Sequence, residues 1–264
     1  MTPTILDRIV ARKKEEIAAA KRITTSKTLE DSEFFGRQPL VLKEFMLDVN
    51  RTGIIAEFKR KSPSKGLING LAQVADVTQA YNAAGASALS VLTDGDFFGG
   101  SKEDLVAARR ANEIPLLRKD FIIDEYQILE AKAWGADIIL LIAAILSPTQ
   151  INNLAMFAKE LQLNVLLEVH NEKELESSIC PHLDAIGVNN RNLADFTVNV
   201  QNSFRLVGKI PDQFLKISES AISSPQTISS LKTVGFNGFL IGENFMKTNN
   251  PGLAMSEFVA ALKH

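Results

Sequence analysis

The sequence predicts an α/β fold in which eight parallel strands close into a barrel behind a helical arm. From residue 54 onward, eight short runs rich in Ile, Val, Leu or Phe follow one another at regular intervals. Segments with helical periodicity separate these runs. The runs are apolar throughout rather than alternating, which is typical of parallel strands covered on both faces. Together these observations predict a (β/α)8 TIM barrel with an extra N-terminal helical arm.

The arm is expected to occupy about residues 1–50. Residues 3–22 place isoleucine and valine at helical spacing between Lys, Arg and Glu, which predicts a helix with one polar face. Residues 23–40 are polar and are expected to be irregular, and a second short helix is predicted near residues 42–49. We expect this arm to help cover the mouth of the barrel, where the strands end.

The barrel is expected to occupy about residues 53–264, so that residues 1–264 form a single domain. The predicted strands lie at residues 54–58, 87–92, 115–118, 137–142, 164–169, 184–188, 214–217 and 237–241. The predicted helices between and after them lie at residues 71–84, 101–111, 124–134, 147–161, 171–180, 199–209, 224–233 and 251–263. An open doubly wound sheet is the competing architecture. It usually has fewer strands and often carries a G-x-G-x-x-G turn, which the sequence lacks.

Composition and charge exclude several classes of partner. The chain has 264 residues, 45% apolar content and a net charge of −2, so its surface as a whole attracts neither nucleic acid nor anionic lipid. The N-terminus has no apolar signal-peptide core, and the longest apolar run, residues 138–146, is too short to span a bilayer. Cys180 is the single cysteine, so no intrachain disulfide forms. We expect a cytoplasmic protein without membrane or nucleic-acid partners, either monomeric or a weak homodimer.

Polar residues stand where the predicted strands end. In this fold the C-terminal ends of all strands meet at one mouth, where active sites lie. The candidates at this mouth include Glu57, Lys59, Ser62, Lys119, Glu168, Asn189, Arg191, Glu219 and Ser220. Buried unpaired charge is costly, so these groups must pair with one another, with water or with a ligand. The grouped cations predict an anionic substrate.

The last two strands indicate which anion is bound. Ser220 lies in ISESAIS after the seventh strand, and Gly242 lies in LIGENFM after the eighth. Loops at these two places commonly bind phosphate through backbone N–H groups. A phosphorylated small molecule is therefore the predicted class of substrate.

Other charged and titratable residues have simpler interpretations. Arg60 is expected to lie in a solvated turn, and Lys13 on a solvated helix face. His170 follows Glu168 by two residues, so it can point into the mouth. The three histidines are scattered along the chain, so we predict no metal site.

Seven motifs together resemble those of one enzyme family. In chain order they are AEFKRKSPSKG, FFGGS, LRKDFI, LLEVH, GVNNRNL, SESAIS and FLIGENFM. They resemble the motifs of the indole-3-glycerol-phosphate synthases over about residues 5–262. The resemblance implies a carboxy-lyase of tryptophan biosynthesis that needs neither cofactor nor metal. It would close a ring in 1-(2-carboxyphenylamino)-1-deoxyribulose 5-phosphate and release CO2 and water to give indole-3-glycerol phosphate. One barrel is present, so we expect the monofunctional form.

The resemblance also implies a role for each matching position. Lys119 matches the general acid that protonates the ketone oxygen, and Glu168 matches the group that transfers a proton during dehydration. Glu57 matches a further catalytic carboxylate, and Lys59 matches a lysine that holds and polarises the substrate. The remaining matches are Asn189 and Ser220 near the reacting centre, with Phe98 and Phe121 as aromatic walls and Ser62, Leu140, Arg191, Glu219, Ala221, Gly242 and Glu243 as further substrate-binding positions. A lysine acid needs a lowered pKa, which Lys59 and Arg191 are expected to provide.

Two positions depart from the family pattern. The family commonly has Glu-Ser-Gly after the seventh strand, where this chain has alanine at Ala221. We expect alanine to be tolerated if its φ is negative. Many members have Gly-Ser after the eighth strand, where this chain has Glu243. A glutamate there would repel a phosphate unless it points away.

Two other functions compete with this interpretation. Another phosphate-binding barrel, such as phosphoribosylanthranilate isomerase, would need a cysteine and an aspartate at the mouth. Cys180 is far from any predicted strand end, which argues against that activity. A non-catalytic barrel that serves as a binding subunit would tolerate loss of Lys119 or Glu168, and both are retained.

Overall fold

Eight parallel strands close into a barrel in the computed structural model, which describes residues 3–192 and 197–262. Around the barrel the strand order is β1-β10-β9-β8-β7-β6-β5-β4, and β2 pairs with β3 in a small separate hairpin. The strands are β1 (Ile54–Phe58), β2 (Lys61–Ser62), β3 (Gly66–Leu67), β4 (Ala88–Leu92), β5 (Leu116–Lys119), β6 (Ile138–Ile142), β7 (Asn164–Val169), β8 (Ala185–Asn189), β9 (Leu215–Glu219) and β10 (Gly238–Ile241). The predicted (β/α)8 barrel is confirmed.

Helices precede the barrel and follow its strands. They are α1 (Ile5–Ile23), α2 (Ser26–Glu30), α3 (Leu42–Met46), α4 (Val74–Ala83), α5 (Lys102–Ala111), α6 (Glu125–Ala133), α7 (Pro148–Glu160), α8 (Glu172–Ser178), α9 (Gln201–Leu206), α10 (Pro225–Thr233), α11 (Glu243–Met246) and α12 (Pro251–Ala260). The irregular segment predicted over residues 23–40 contains α2, so that prediction is wrong in part. The side chain of Thr25 accepts a bond from the N–H of Thr28, which lets this polar stretch begin a helix.

Strand alternation divides the apolar residues between two clusters. One set lines the barrel interior, and the other packs between strands and helices. The interior cluster includes Ile55, Ala88, Leu117, Leu140, Leu166, Ile217 and Leu240. The outer cluster includes Ile54, Leu89, Leu116, Val165 and Ile186. The strands are apolar along their whole length because both of their faces are buried.

Helix α3 closes the N-terminal end of the barrel. Leu42 and Met46 pack against the interior cluster, and the N–H of Leu42 donates to Oδ1 of Asn164 at the start of β7, 3.0 Å away. With that end filled, a ligand enters at the C-terminal ends of the strands. Among the described residues, no helix combines the length and apolar character needed to cross a bilayer.

Candidate active site

Charged residues reach the mouth because they continue the inward face of their strands. On several strands an apolar residue of the interior cluster is followed two positions later by a polar one on the same face. These pairs are Ile55 and Glu57, Leu117 and Lys119, Leu166 and Glu168, and Ile217 and Glu219. The strands thus place a charged layer directly above the apolar filling of the barrel.

Two neighbouring cavities hold the positions predicted from the sequence. The central cavity has a volume of about 140 Å³ and is lined by Glu57, Lys59, Ser62, Phe98, Lys119, Phe121, Leu140, Glu168, Asn189, Arg191, Glu219, Ser220 and Glu243. An adjoining cavity of about 530 Å³ is also lined by Lys59, Arg191 and Ser220, and it includes the remaining two positions, Ala221 and Gly242. All fifteen predicted positions therefore lie at one mouth.

Lys119 lies at the centre of the polar cluster. Its Nζ atom is 2.9 Å from Oε2 of Glu168 and 3.4 Å from Oε2 of Glu219. Oε1 of Glu168 accepts a hydrogen bond from Nδ2 of Asn189 at 3.1 Å. Strands β5, β7, β8 and β9 therefore bring an ammonium group, two carboxyl groups and an amide together at distances that allow proton transfer.

Nearby carboxylates raise the pKa of Lys119. Burial by itself would lower the pKa of this ammonium group, but Glu168, Glu219 and a third carboxylate outweigh burial. The prediction that Lys59 and Arg191 lower the pKa of Lys119 is wrong. The groups bonded to Nζ are anions, so Lys119 is held in its protonated form.

Glu168 is held in its ionised form. Burial would raise the pKa of this carboxyl group, but Lys119 and then His170 lower it well below its ordinary value. Nε2 of His170 lies 3.3 Å from Oε1 of Glu168. Glu168 can therefore accept a proton at neutral pH.

Glu219 differs from Glu168 although both contact Lys119. Burial raises the pKa of Glu219 to about 7, with Lys119 opposing the rise and Glu168 adding to it. Its Oε1 atom has no hydrogen-bond partner among the described residues and faces Gly187, where a Cβ atom would come within 2.1 Å of it. A pKa of about 7 lets Glu219 carry a proton near neutral pH, and its substrate-binding role stays a prediction.

Glu57 and Lys59 form the first-strand part of the site. Nζ of Lys59 is 2.7 Å from Oε1 of Glu57. A Cβ atom at Gly242 would lie 2.5 Å from the same oxygen, so glycine at this position gives the Glu57 carboxylate its space. The pair lies between the central and the adjoining cavity, since both residues line both.

The cations beside the adjoining cavity form ion pairs with Glu243. Nη2 of Arg191 is 3.3 Å from Oε2 of Glu243, and Nζ of Lys65 is 3.8 Å from its Oε1. Glu243 thus points toward the cations of the site and not away from them. An anionic ligand entering here meets this carboxylate at Arg191.

Ser220 and Ala221 adopt unusual backbone conformations beside this cavity. Their φ angles are 66° and 59°. The condition set for an unstrained alanine, a negative φ at Ala221, is not met, because the loop keeps the left-handed conformation that glycine adopts without strain. For residues with a Cβ atom this conformation costs on the order of 1–2 kcal/mol each. Such strain is often found in loops that bind ligands.

The other side of the central cavity is apolar. The rings of Phe98 and Phe121 lie 5.9 Å apart between centroids, and the buried Leu140 lines the same cavity. The arm contributes Ile5, Leu6 and Ile9 from helix α1 to the same wall. These three residues were not predicted as site residues. The arm was expected to help cover the mouth, but the apolar face of α1 does not identify which of its residues reach the cavity.

Two basic residues that were expected to be solvated form buried or half-buried ion pairs. Lys13 of α1 is 4% exposed, and its Nζ atom lies 3.0 Å from a carboxylate oxygen of Asp94 and 3.0 Å from one of Asp120. Arg60 pairs with Asp104 of α5 and lies over the ring of Phe58. Both predictions are wrong because the acidic partners are distant in the sequence. Lys13 ties the arm to the loop that follows Lys119.

Comparisons with known proteins agree with this geometry. The family model described as Indole-3-glycerol phosphate synthase matches residues 6–258. A relative of that name from Bacteroides thetaiotaomicron is 47% identical over 259 residues, covering 98% of this chain and 99% of the relative. Another from Polaromonas sp. is 42% identical over 260 residues, covering 96% and 97%.

A third relative of the same name, from Acinetobacter baumannii, is 42% identical over 256 residues and covers 96% of this chain and 94% of its own length. A solved structure described as Native KDPGal structure superposes with a TM-score of 0.56 at 14% identity, over 80% of this chain and 93% of that one. That likeness supports the fold alone. The family membership predicted from the motifs is confirmed: the chain belongs to the indole-3-glycerol phosphate synthase family.

Proposed function

We propose that this protein converts 1-(2-carboxyphenylamino)-1-deoxyribulose 5-phosphate into indole-3-glycerol phosphate, CO2 and water, as a single-domain cytoplasmic enzyme of tryptophan biosynthesis. The observation that carries the proposal is Lys119, whose ammonium group lies between the carboxyl groups of Glu168 and Glu219 in a mouth with an apolar side and a cationic side. A substrate with an aromatic ring, a ketone and a phosphate fits these three parts.

Ring closure needs an acid at the ketone. The aromatic carbon that bears the carboxylate attacks the ketone carbon, and Lys119 donates a proton to the ketone oxygen as the new carbon–carbon bond forms. The carbon–carbon bond to the carboxylate then breaks, CO2 leaves, and the electron pair restores the aromatic ring. The surrounding carboxylates keep Lys119 protonated and therefore able to donate this proton, although the same raised pKa makes its ammonium group a weaker acid than the sequence led us to expect.

Dehydration needs one acid and one base. The hydroxyl group formed from the ketone leaves as water when it receives a second proton, for which the carboxyl group of Glu219 is the donor. Glu168 accepts the proton from the carbon beside the ring nitrogen. Two protons are donated and one is recovered, so each turnover takes up one proton, which balances the loss of the substrate carboxylate as CO2.

The two sides of the mouth orient the substrate. Phe98, Phe121 and Leu140 hold the aromatic ring. Arg191 and Lys59 attract the phosphate into the adjoining cavity beside Ser220. Because the ring and the phosphate are held at opposite ends of the site, the ketone is fixed near Lys119. The substrate is thereby oriented toward its catalytic groups before the reaction begins.

The isomerase alternative has little support in the geometry. Cys180 follows helix α8 and precedes strand β8, so it lies toward the N-terminal ends of the strands and away from the mouth. It lines neither of the two cavities described above. A cysteine acid or base is therefore not available where the other polar groups converge.

A direct conversion assay tests the proposal. Purified protein is mixed with the carboxyphenylamino-deoxyribulose phosphate, and the product is followed by indole fluorescence and by released CO2. We expect equal amounts of both products. The same protein is offered phosphoribosylanthranilate as a matched control, which we expect to remain unchanged. No indole product, or isomerisation of the control substrate, would contradict the proposed function.

A further inference from the structure

A histidine outside the predicted catalytic set contacts one of its carboxylates. We propose that His170, held as an imidazolium between Glu168 and Glu174, is a positioning residue that keeps Glu168 free of a proton and leaves the proton on Glu219. The inference rests on the proposed function for the role given to Glu168. The charge on His170 follows from contacts that can be tested without substrate.

His170 lies between two carboxylates immediately after strand β7. Its Nδ1 atom is 3.2 Å from Oε2 of Glu174. Its Nε2 atom is 3.3 Å from Oε1 of Glu168, an ion-pair distance without hydrogen-bond alignment, since Nε2 has no hydrogen-bond partner among the described residues. The backbone N–H of His170 donates to that Glu174 oxygen at 2.7 Å. Nδ2 of Asn171 donates to the other Glu174 oxygen at 2.6 Å, so the outer carboxylate is fixed in place.

Two carboxylates on opposite sides of the ring favour a charged imidazole. A neutral imidazole carries a hydrogen on one nitrogen and a lone pair on the other, so one nitrogen would point its lone pair at a carboxylate oxygen. With both nitrogens protonated, Nδ1 donates to Glu174, and the positive ring lies at ion-pair distance from Glu168. Burial alone would lower the pKa of His170, but Glu168 and Glu174 outweigh burial and raise it to about 10.

Glu168 and Glu219 both contact Lys119, but only Glu168 also lies beside His170. The charge on His170 therefore makes the two carboxyl groups differ in how readily they ionise. Oε1 of Glu168 faces both Asn189, at 3.1 Å, and His170, at 3.3 Å. The corresponding oxygen of Glu219 has no hydrogen-bond partner among the described residues. The ionised form is therefore stabilised more strongly at Glu168 than at Glu219, which has Lys119 alone as a cationic contact in the described part of the chain. Glu168 becomes the acceptor and Glu219 the donor.

The charged groups around this pair come from several elements. His170 faces Glu168 from β7 and Glu174 from α8. Glu168 faces Lys119 from β5, and its charge also acts on Glu219 from β9. Removing His170 leaves Lys119 as the cation bonded to Glu168, so the pKa of Glu168 rises and the proton is shared between two carboxyl groups.

Three variants test the inference through the pH dependence of kcat. We expect His170→Phe to lower kcat at pH 7 by roughly 10- to 100-fold with KM within about twofold, since a positioned base contributes at this scale. The acid limb of the kcat profile should move upward by about one pH unit. His170→Gln retains a donor without charge, so it should recover part of kcat but leave the acid limb displaced. His182→Gln, away from the mouth, is the matched control.

An unmoved acid limb in both His170 variants would overturn the inference, even if kcat fell. Nitrogen NMR of the labelled wild-type protein gives a second measurement that does not need activity or a folded variant. We expect the His170 ring to remain charged from pH 6 to about pH 8.5, and a neutral ring at pH 7 would also overturn it. If wild-type protein fails to convert the substrate while His170 is charged, the proposed function fails and not the assignment of charge.

Discussion

Glu219→Gln is expected to make the protein more stable at alkaline pH. The Glu219 side chain is 2% exposed, and one of its oxygens lies 3.4 Å from Nζ of Lys119. Burial, opposed by Lys119 and assisted by Glu168, raises the pKa from the ordinary 4.5 to about 7. The fold therefore resists ionisation of Glu219, and glutamine keeps its size without ionising.

The magnitude follows from proton linkage. Between pH 4.5 and about 7 the unfolded chain ionises Glu219 while the folded protein keeps the proton, so wild-type stability falls as the pH rises. At ~1.36 kcal/mol per pKa unit, the loss amounts to about 3 kcal/mol. Above about pH 7 both states are ionised and the loss is constant. We expect the variant to gain about 3 kcal/mol over wild type between pH 4.5 and 8.

Urea unfolding at four pH values across this range measures the effect, with the fluorescence of Trp134 as the probe. The free energy of unfolding is extrapolated to water for both proteins, and equal slopes confirm that the same surface is exposed. Glu176→Gln, on the exposed face of α8, is the control and should change stability by less than about 0.5 kcal/mol at every pH. A difference between Glu219→Gln and wild type that does not vary with pH would refute the reasoning.

Two further predictions concern the arm and the anion site. Lys13→Met should lower the free energy of unfolding by about 3–5 kcal/mol because it leaves the buried carboxylate of Asp94 without its cation and leaves Asp120 with Arg118 alone of the cations described. Lys14→Met, at an exposed position of the same helix, should change it by less than about 0.5 kcal/mol, and equal losses in urea unfolding would contradict the buried role. Glu243→Gln should lower KM by roughly three- to fivefold, equivalent to ~1 kcal/mol, because phosphate no longer competes with a carboxylate for Arg191. An unchanged or higher KM in steady-state kinetics would show that Glu243 does not compete.

The site could be located from the sequence because the barrel imposes a simple geometry. Parallel strands bring their C-terminal ends together, and alternation keeps Glu57 on the inward face above Ile55. Lys119 and Glu168 follow the same rule on their own strands. Knowing the strand ends was therefore sufficient to predict which charged strand residues share the mouth, but not that Ile5, Leu6 and Ile9 of the arm line it.

The charge states could not be predicted in this way. The pKa of Lys119 depends on which charges lie within a few ångströms, and its nearest neighbours, Glu168 and Glu219, are 49 and 100 residues away in the chain. The burial of Lys13 depends on Asp94 and Asp120, so a charged helix face looked solvated. The positive φ of Ala221 is likewise imposed by the loop conformation, because alanine by itself favours a negative φ.

Turnover of the carboxyphenylamino-deoxyribulose phosphate by three proteins tests the central claim that Lys119 and Glu168 carry out the proton transfers. Wild-type protein, Lys119→Met and Glu168→Gln are compared under saturating substrate, with Glu176→Gln as the control for an exposed carboxylate. We expect wild type and the control to form indole-3-glycerol phosphate at equal rates. Each of the other two variants should lose at least about 100-fold in kcat, the scale of a positioned acid or base. Activity within about tenfold of wild type in either variant, a ~1.4 kcal/mol effect, would contradict the account.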